Sequence, residues 1–571
     1  MKTNKIISLT LGVAVTALLS VSCSDSFLDT SSKTDLNSGS FYKNPLQAEY
    51  ALTGCYDGYQ RTVSNGSWPT MFQAAEMMSD DCLGGGGPDD RANRLLDRFD
   101  MSIRSDNTSM FDGIWQDYYA GIYRCNMLIS QLDNITWESE DQRNTIEGEA
   151  RAIRGLEYFD LVRMFENVPL LTEPTNEIVP QSPYDDVYAQ IVTDLKFAAD
   201  NIPAGAYDPS NEATFGHITR YAAAAMLARV YLFYDGVYND NAGAEMPGGL
   251  TKAQALQYCE DVIGSQLYGL EEEFNNLWPA ACTEATSPAE GRQTTYVEAS
   301  KEILWVVKFN NDNTYNSDNP GSNGNKFIVN FGLRNEADGT YAPYGNGWGA
   351  APVTPYAQGL FGNNDKRKDA TVIDCKAIGS FDSQSTSDVM DYTGYVNKKY
   401  CPLIFNDGTS MPFYETEATG GDFQTAQDQN WVLMRYADVL LMAAELGSTN
   451  AMAYFNLVRE RAYGDSNHDI DAVPTREQIW KERRLEFMGE GIRYFDLRRQ
   501  GIDAFVTAMM GQANSNGSTT GTPVTVYNNG VAGSVTDEYV DGNIRTKRGF
   551  WQIPYNQITL SGNVYKQNAG W

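Results

Sequence analysis

KERRLEFMGEGIRYFDLRRQG, residues 481–501, is the stretch that decides the fold, because it interleaves charged and apolar residues at helical spacing. Charges three and four positions apart can pair along a helix, and arginine–carboxylate forks can tie that helix to its neighbours. A catalytic pair of glutamates is the alternative interpretation. Paired charges that flank aromatic residues such as Phe487 and Tyr494 more often form structural networks, so we predict an ion-paired helix within a folded core.

Two blocks of helical pattern account for most of the chain. The block that contains the opening stretch runs from 433 to about 500, and Thr475 with Gln478 forms a capping box inside it. The other block begins at Pro45, which suits a first helical turn. Its predicted helices include 110–132, 145–165, 183–201, 218–234 and 251–264. Small alanines alternate there with large aromatic residues, and no strict period of about 34 residues is present. We therefore predict a mainly α-helical fold of degenerate, tetratricopeptide-like repeats.

The segment between the two blocks, about 270–430, has a different composition. It is rich in Gly, Asn, Asp, Tyr and Thr, and stretches such as YAPYGNGWGAAP, residues 341–352, have the chemistry of turns and loops. EILWVVKF, residues 302–309, is its clearest strand. We predict a loop-rich insertion that carries short strands, a common location for function on a helical scaffold. Residues 512–545 are also predicted to be a loop.

The N-terminus indicates export. ALLSVSCSDSFLD, residues 17–29, ends an apolar run at one cysteine, after a basic start at Lys2 and Lys5. This order of charged, apolar and small residues is that of a secretory signal, and the run is too short for a comfortable transmembrane helix. The cysteine resembles that of a bacterial lipobox, so we predict a lipoprotein signal peptide over 1–22, lipidation of Cys23 and a tether over 23–44. The alternative is a plain signal peptide with a chance cysteine.

Composition removes several classes of function. The formal net charge of −31 repels phosphate backbones, so nucleic acid is not an expected partner. The chain has two histidines, His217 and His468, and no HExxH, GxSxG or P-loop motif. Of its eight cysteines, the seven other than Cys23 are widely spaced and form no CxxC pair, which argues against a zinc ribbon and a disulfide scaffold. We expect no metal, no cofactor and mostly buried cysteines.

Several stretches resemble the signatures of one family. KERRLEFMGEGIRYFDLRRQG resembles a signature of the SusD/RagB family of surface glycan-binding lipoproteins, and GEARAIRGLEYFDLVRMFENVPLLT, residues 148–172, resembles its N-terminal signature. RYADVLLMAAEL and the ending IPYNQITLSGNVYKQNAGW are similar too. The signatures occur in family order in both halves. The resemblance implies an N-terminal SusD-like helical region over 45–270 and a SusD/RagB C-terminal region over 271–571, loop-rich over 271–430 and helical over 431–505.

The resemblance also implies a location and a function. It implies a lipid-anchored protein of the outer membrane, and CSDSFLD is similar to the acidic start that directs such lipoproteins to the cell surface. It implies capture of an oligosaccharide or polysaccharide and delivery to a SusC-like, TonB-dependent transporter, over which the protein closes without acting as an enzyme. Two alternatives stay open: a glycoside hydrolase with two carboxylates at a cleft, and a peptide-binding tetratricopeptide-type component of a nutrient importer.

Two segments, near 64–92 and 310–350, resemble the glycan-facing regions of the family. Flat rings can cover the apolar face of a sugar ring, and polar side chains beside them can hydrogen-bond its hydroxyls. The first segment holds the unusual GGGG at 84–87, and the second sets its rings among Gly and Asn. The predicted glycan contacts are Trp68, Asp80, Asp81, Tyr315, Tyr341, Tyr344 and Trp348. The alternative is that the rings anchor their loops as ordinary hydrophobic residues.

Overall fold

The computed structural model describes residues 41–63, 68–100, 109–310, 324–411, 427–510, 523–535 and 540–571. Helices dominate this part of the chain, and the strands are short, which confirms the predicted mainly α-helical class. No helix among the described residues is both long and apolar enough to span a bilayer. Cys23 and Tyr315, predicted as the lipidation site and a glycan contact, lie outside the described residues.

Eight helices form the N-terminal part of the scaffold, and the five predicted within 110–264 are all present. Their bounds are α1 Pro45–Arg61, α2 Met71–Met77, α3 Ala92–Arg98, α4 Asp112–Gln131, α5 Glu140–Phe165, α6 Tyr184–Asn201, α7 Arg220–Tyr238 and α8 Lys252–Ser265. The two-residue strands β1, Val168–Pro169, and β2, Gln181–Ser182, pair in the connection that follows α5. Asn44 caps α1, whose first turn contains Pro45 as predicted.

The long helices pack on neighbours in pairs. Helix α1 packs on α4, and each of α5, α6 and α7 packs on the helix that follows it. Helices α1 and α4 run antiparallel, because Gly58 approaches Gly121 while Arg124, one turn further along α4, hydrogen-bonds the carbonyl of Gly54 at 2.9 Å. This stacking of adjacent helices is the arrangement expected of tetratricopeptide-like repeats.

One two-stranded sheet connects the loop-rich insertion to the helical scaffold. Strand β5, Ile303–Val307, pairs antiparallel with a strand at Trp431–Arg435, and all ten residues are buried. Their β-branched and apolar side chains suit a strand buried on both faces. The predicted strand at 302–309 is confirmed, and the sheet holds residues 303–307 beside the strand that ends the loop-rich segment.

Short elements make up the rest of the region between the helical blocks, as predicted. Its helices are α9 Pro279–Cys282, α10 Phe327–Phe331, α11 Pro355–Gln358, α12 Arg367–Thr371 and α13 Phe381–Thr386. Its other strands are β3 Thr283–Glu284, β4 Gln293–Thr294, β6 Leu333–Arg334, β7 Asn346–Gly347, β8 Val372–Asp374 and β9 Tyr395–Asn397; the strand at Trp431–Arg435 is β10. They pair two by two and do not build a larger sheet among the described residues.

The C-terminal block packs against the N-terminal helices. Its helices are α14 Tyr436–Leu446, α15 Ala451–Tyr463, α16 Arg476–Phe487, α17 Arg493–Arg499, α18 Ile502–Met510, α19 Val540–Lys547 and α20 Tyr555–Leu560. Helix α14 packs on α8, and α17 packs on α7. The predicted capping box is present, with the backbone N–H of Gln478 donating to Thr475 Oγ1 at 3.2 Å and the N–H of Thr475 donating to Gln478 Oε1 at 2.8 Å.

The prediction of a loop over 512–545 was wrong for its second half. Strands β11, Val524–Asn528, and β12, Val531–Val535, form an antiparallel hairpin, and α19 begins at Val540. The two turn residues, Asn529 and Gly530, have positive φ angles of 49° and 73°. An asparagine–glycine pair between alternating residues is the signal of a two-residue hairpin turn. That signal was present in the sequence.

One hydrophobic core joins the two helical blocks. Tyr59 of α1 stacks on Trp431 of β10, with ring centroids 6.3 Å apart and planes 8° apart. A smaller cluster, which includes Leu333, Tyr392 and Cys401, supports the loop-rich region. Six of the seven described cysteines are buried, all seven are free thiols, and no group of side chains in the described part could hold a metal ion. The prediction of mostly buried cysteines is therefore confirmed.

Candidate functional site

The stretch 481–501 forms a buried ion-pair network. Glu486 of α16 receives hydrogen bonds from Arg367 at 3.1 Å and from both Arg435 and Arg461 at 2.5 Å, with all four side chains almost fully buried. Burial alone would raise the pKa of Glu486, but the three guanidinium groups reverse that effect and hold it well below its usual range. The arginines therefore stabilise the charged form of this carboxylate, which is shielded from solvent. This confirms the structural pairing predicted from the sequence.

Asp80 and Asp81 form a second set of ion pairs, with two other arginines of the same stretch. Arg493 Nε lies 2.7 Å from Asp80 Oδ1, and Arg484 Nη2 lies 2.9 Å from Asp80 and 2.6 Å from Asp81. Burial alone would raise the pKa of Asp80, but Arg484 and Arg493 outweigh it and lower that pKa to about 2. Only 6% and 1% of the two aspartate side chains are exposed. A sugar could reach these carboxylates only by breaking the pairs, so we leave them out of the candidate site.

The two predicted glycan-facing segments meet along a backbone seam. Residues 82–87 lie beside 349–353, with a hydrogen bond from the N–H of Leu83 to the carbonyl of Pro352 at 3.0 Å. A second bond runs from the N–H of Gly86 to the carbonyl of Gly349 at 2.9 Å. The seam therefore brings part of the first segment into contact with the end of the second.

The GGGG sequence at 84–87 is a consequence of close packing along this seam. The residues are buried, and Gly85 and Gly86 have positive φ angles of 64° and 83°. A Cβ on Gly85 would lie 2.3 Å from Pro352, and one on Gly87 would lie 2.4 Å from the guanidinium of Arg334. Glycine is therefore required by backbone conformation and by neighbouring protein atoms, without any need for a ligand.

Trp348 is held on this face by its backbone. Its N–H donates to the carbonyl of Val329 in α10 at 2.7 Å, and its carbonyl accepts from Arg334 Nη1 at 3.3 Å. Arg334 is fixed in turn by a forked ion pair with Asp388. The indole is half-buried and belongs to neither hydrophobic cluster of the described residues. Trp348 therefore combines a fixed backbone with a ring that does not serve as a core residue.

Trp68 precedes α2, a short helix that packs on α10. It lies three residues before α2 and is 39% exposed. Phe72 of α2 packs on Phe327 of α10, with ring centroids 4.5 Å apart, and α10 supplies the carbonyl that accepts from Trp348. The two tryptophans are therefore attached to opposite members of one packed helix pair.

Tyr341 and Tyr344 have a different environment. Both are partly buried and pack against the smaller hydrophobic cluster. Burial raises the pKa of Tyr344, and Lys398 Nζ lies 5.5 Å from its ring centroid. The alternative that such rings anchor their loops therefore describes these two tyrosines. Trp348 and Trp68 remain as the predicted aromatic residues available to a ligand within the described part of the chain.

Two adjoining clefts are lined by none of the predicted site residues that the structure describes. The helical cleft, about 810 Å³, is bounded by α1, the start of α5 and the segment 203–217. The strand cleft, about 560 Å³, lies between α1 and β5. Thr53, Tyr56 and His217 line both. Little in the sequence indicates these clefts. The one signal is Tyr50, an aromatic residue of α1 that is 60% exposed.

Two family models match the chain. The model described as the SusD family matches residues 301–571, and the model described as starch-binding associating with outer membrane matches residues 26–232. A related protein, SusD-like protein P2 of Formosa agariphila, is 25% identical over 510 residues, covering 85% of this chain and 89% of that protein. The chain belongs to the SusD family.

Solved structures support the same fold. A laminarin binding SusD-like protein is 26% identical, with a TM-score of 0.67 over 93% of this chain and all of that one. Surface glycan-binding protein A of Bacteroides thetaiotaomicron, solved in complex with laminarihexaose, is 23% identical, with a TM-score of 0.68 over 92% of this chain and 99% of that chain. The predicted mainly α-helical, tetratricopeptide-like fold class is thereby confirmed.

Proposed function

We propose that this protein is a cell-surface glycan-binding lipoprotein that captures an oligosaccharide without chemically altering it. The observation that carries the proposal is the match of two SusD family models to its two halves. The likeness to a laminarin binding SusD-like protein supports a glycan as the ligand. The clustered carboxylates of the 481–501 stretch favour binding over hydrolysis, since they are buried against arginines and are not free to act as acid or base.

Trp348 and Trp68 are the proposed stacking residues. An indole whose backbone is fixed by Val329 and Arg334 can present a flat face with little loss of conformational freedom on binding. Arg334, which bonds the Trp348 carbonyl, and Asp388, which pairs with Arg334 and is 48% exposed, offer charged hydrogen-bonding groups for sugar hydroxyls. The proposed site is therefore the face that surrounds the seam between 82–87 and 349–353.

Substitution of Trp348 tests this proposal. Loss of one stacked ring costs on the order of 1–3 kcal/mol, by analogy with base–aromatic stacking, so Trp348→Ala should weaken glycan affinity about tenfold or more. The melting temperature should change little, because the indole is outside both hydrophobic clusters. Calorimetry with the best ligand from a polysaccharide panel measures the affinity.

Tyr555→Ala serves as the matched control, because Tyr555 is a 58% exposed ring on α20, away from the seam. The control should bind the glycan as the unaltered protein does. Unchanged affinity in Trp348→Ala would remove Trp348 from the site. A large fall in its melting temperature would instead assign the ring to the core.

We further propose that the captured glycan passes to a SusC-like, TonB-dependent transporter. Family membership supports this step, and so does the family model described as associating with outer membrane. Lipid attachment at Cys23 would hold the protein at the membrane beside such a barrel, because several buried acyl carbons on one residue anchor firmly.

A further inference from the structure

The helical cleft has a built polar wall. Glu149 of α5 is fully buried and accepts hydrogen bonds from the hydroxyls of Tyr56 and Tyr207, the latter at 2.5 Å. His217 Nδ1 is 2.9 Å from the same carboxylate, and the His217 ring stacks on Tyr207 with centroids 4.3 Å apart. One buried carboxylate thus fixes three aromatic side chains on the cleft wall. A binding surface held this way needs little ordering when a ligand arrives.

The His217 ring lines the cleft and has one nitrogen that Glu149 does not engage. Because Nδ1 is engaged by Glu149, Nε2 is the ring nitrogen left to face a ligand, and 40% of the side chain is exposed. Burial alone would lower the pKa of His217, but the hydrogen bond and charge of Glu149 raise it above its usual value. Below this raised pKa the ring carries an N–H donor at Nε2, and above it Nε2 accepts hydrogen bonds, because Nδ1–H stays directed at Glu149.

The remaining lining determines the charge of an acceptable ligand. None of the described residues that line the helical cleft is a lysine or arginine, whereas Glu49 and Asp141 both line it. A sulfate, phosphate or uronate group would meet negative charge there. Tyr50 adds an exposed ring, and Thr53 and Gln142 add neutral hydrogen-bonding groups. Rings beside hydroxyl and amide groups, without a lysine or arginine, suit an uncharged polyhydroxylated ligand.

We propose that the helical cleft is a second carbohydrate-binding site, selective for an uncharged oligosaccharide and separate from the Trp348 face. The inference rests on the proposed glycan-binding function. The strand cleft adjoins the helical cleft at Thr53, Tyr56 and His217. Its own lining includes Gln60 and Lys308. A chain of several sugar units can therefore extend from one cleft into the other.

The two histidines of the chain make the test direct. His217 lines the cleft, whereas His468 stacks on Tyr463 with centroids 3.7 Å apart and lines neither cleft. The full chain, made with isotope-labelled histidine and purified without a histidine tag, gives ring signals from two residues only. We would titrate it with laminarihexaose, maltohexaose and cellohexaose. At least one should shift the His217 signals and leave those of His468 in place, and an oligogalacturonate should shift neither.

Variants separate this site from the proposed one. Tyr50→Ala should lower the oligosaccharide affinity measured from the His217 shifts roughly fivefold or more, because it removes an exposed ring from the cleft. Tyr123→Ala, which removes a 46% exposed ring of α4 outside both clefts, should leave it unchanged. Trp348→Ala should also leave it unchanged, even where calorimetry shows weaker binding overall.

Three outcomes would overturn the inference. The first is the absence of any His217 shift with all three neutral hexasaccharides, and the second is a shift caused only by the oligogalacturonate. The third is loss of the His217 shift in Trp348→Ala, which would make the cleft part of one site. If Trp348→Ala keeps full affinity while Tyr50→Ala loses it, the cleft stands and the proposed Trp348 site fails. The two failures are therefore distinguishable.

Discussion

Glu76 shows how the fold changes the chemistry of one carboxyl group. It lies on α2, is 2% exposed, and accepts a hydrogen bond from the backbone N–H of Gly491 at 2.5 Å. Burial outweighs that hydrogen bond and raises the pKa of Glu76 to about 7. Unlike Asp80, which faces two arginines, Glu76 has no guanidinium partner among the described residues. It is therefore a buried acid that holds its proton near neutral pH.

Glu76 should make the protein less stable as the pH rises. The pKa is about 7 in the folded protein and 4.5 in the reference state, so folding favours the protonated form. The stabilisation is complete below about pH 4.5 and is lost as the pH rises through about 7, a change on the order of 3 kcal/mol. Glu76→Gln keeps an acceptor for Gly491 and cannot ionise. The variant should match the unaltered protein at pH 5 and exceed its free energy of unfolding at pH 8.

Urea unfolding at the two pH values measures this difference. Glu138→Gln is the control, because Glu138 is exposed to solvent and its substitution should have the same small effect at both pH values. If Glu76→Gln were less stable than the unaltered protein at pH 8, Glu76 would be ionised and favourably paired in the folded state.

At the scale of elements, the crossing of α1 and α4 depends on a missing side chain. A Cβ on Gly58 of α1 would lie 2.8 Å from the Cα of Gly121 in α4, a distance that requires the helices to move apart. A Cβ on Gly54, one turn earlier on α1, would have nothing within 4 Å of it. The alternation of small and large residues seen in the sequence thus has a specific role here, because it sets the distance between two helix backbones.

Alanine substitution of the two glycines should change the stability of the protein in opposite directions. Gly54→Ala should stabilise the protein by about 0.5–1 kcal/mol, since alanine costs less conformational entropy in a helix interior. Gly58→Ala should destabilise it by on the order of 1–3 kcal/mol, because the added methyl group overpacks the crossing. Thermal unfolding of both variants measures the effects. Stabilisation by Gly58→Ala would mean that the two helices are further apart than described.

Elements differed in how far local sequence could predict them. Helix α5 was predicted over 145–165 from its periodicity, and the structure extends it back to Glu140, behind a cap at Ser139. The hairpin of β11 and β12 was missed although Asn529 and Gly530 carried its turn signal. Both errors concern local chemistry, a helix cap and a turn type, that periodicity does not register.

At the scale of the whole molecule, the exposure of the candidate residues has a non-local cause. Asp81 was predicted as a glycan contact, but Arg484, 403 residues further along the chain, forms an ion pair with it. The glycines at 84–87 suggested an open loop, but Pro352 and Arg334 pack against them. The fold was predictable because long helical patterns and family signatures can be recognised in the local sequence. The exposure of the candidate site residues was not predictable, because it depends on which distant segments meet.

The position of the whole chain at the membrane should depend on its lipid anchor. We expect Cys23 to carry the lipid, because it follows an apolar export segment and small residues. In the native host, Cys23→Ser should abolish palmitate labelling and release the protein from the outer membrane. It should also lower recovery of a TonB-dependent barrel in pull-downs from gently solubilised membranes, because an anchored protein meets its partner at a higher effective concentration. Cys282→Ser, at the one partly exposed cysteine among those described, is the matched control and should keep label, anchoring and barrel. Labelling that survives Cys23→Ser would contradict the lipoprotein prediction. Intact labelling of the unaltered protein without any recovered barrel would instead count against the proposed delivery step.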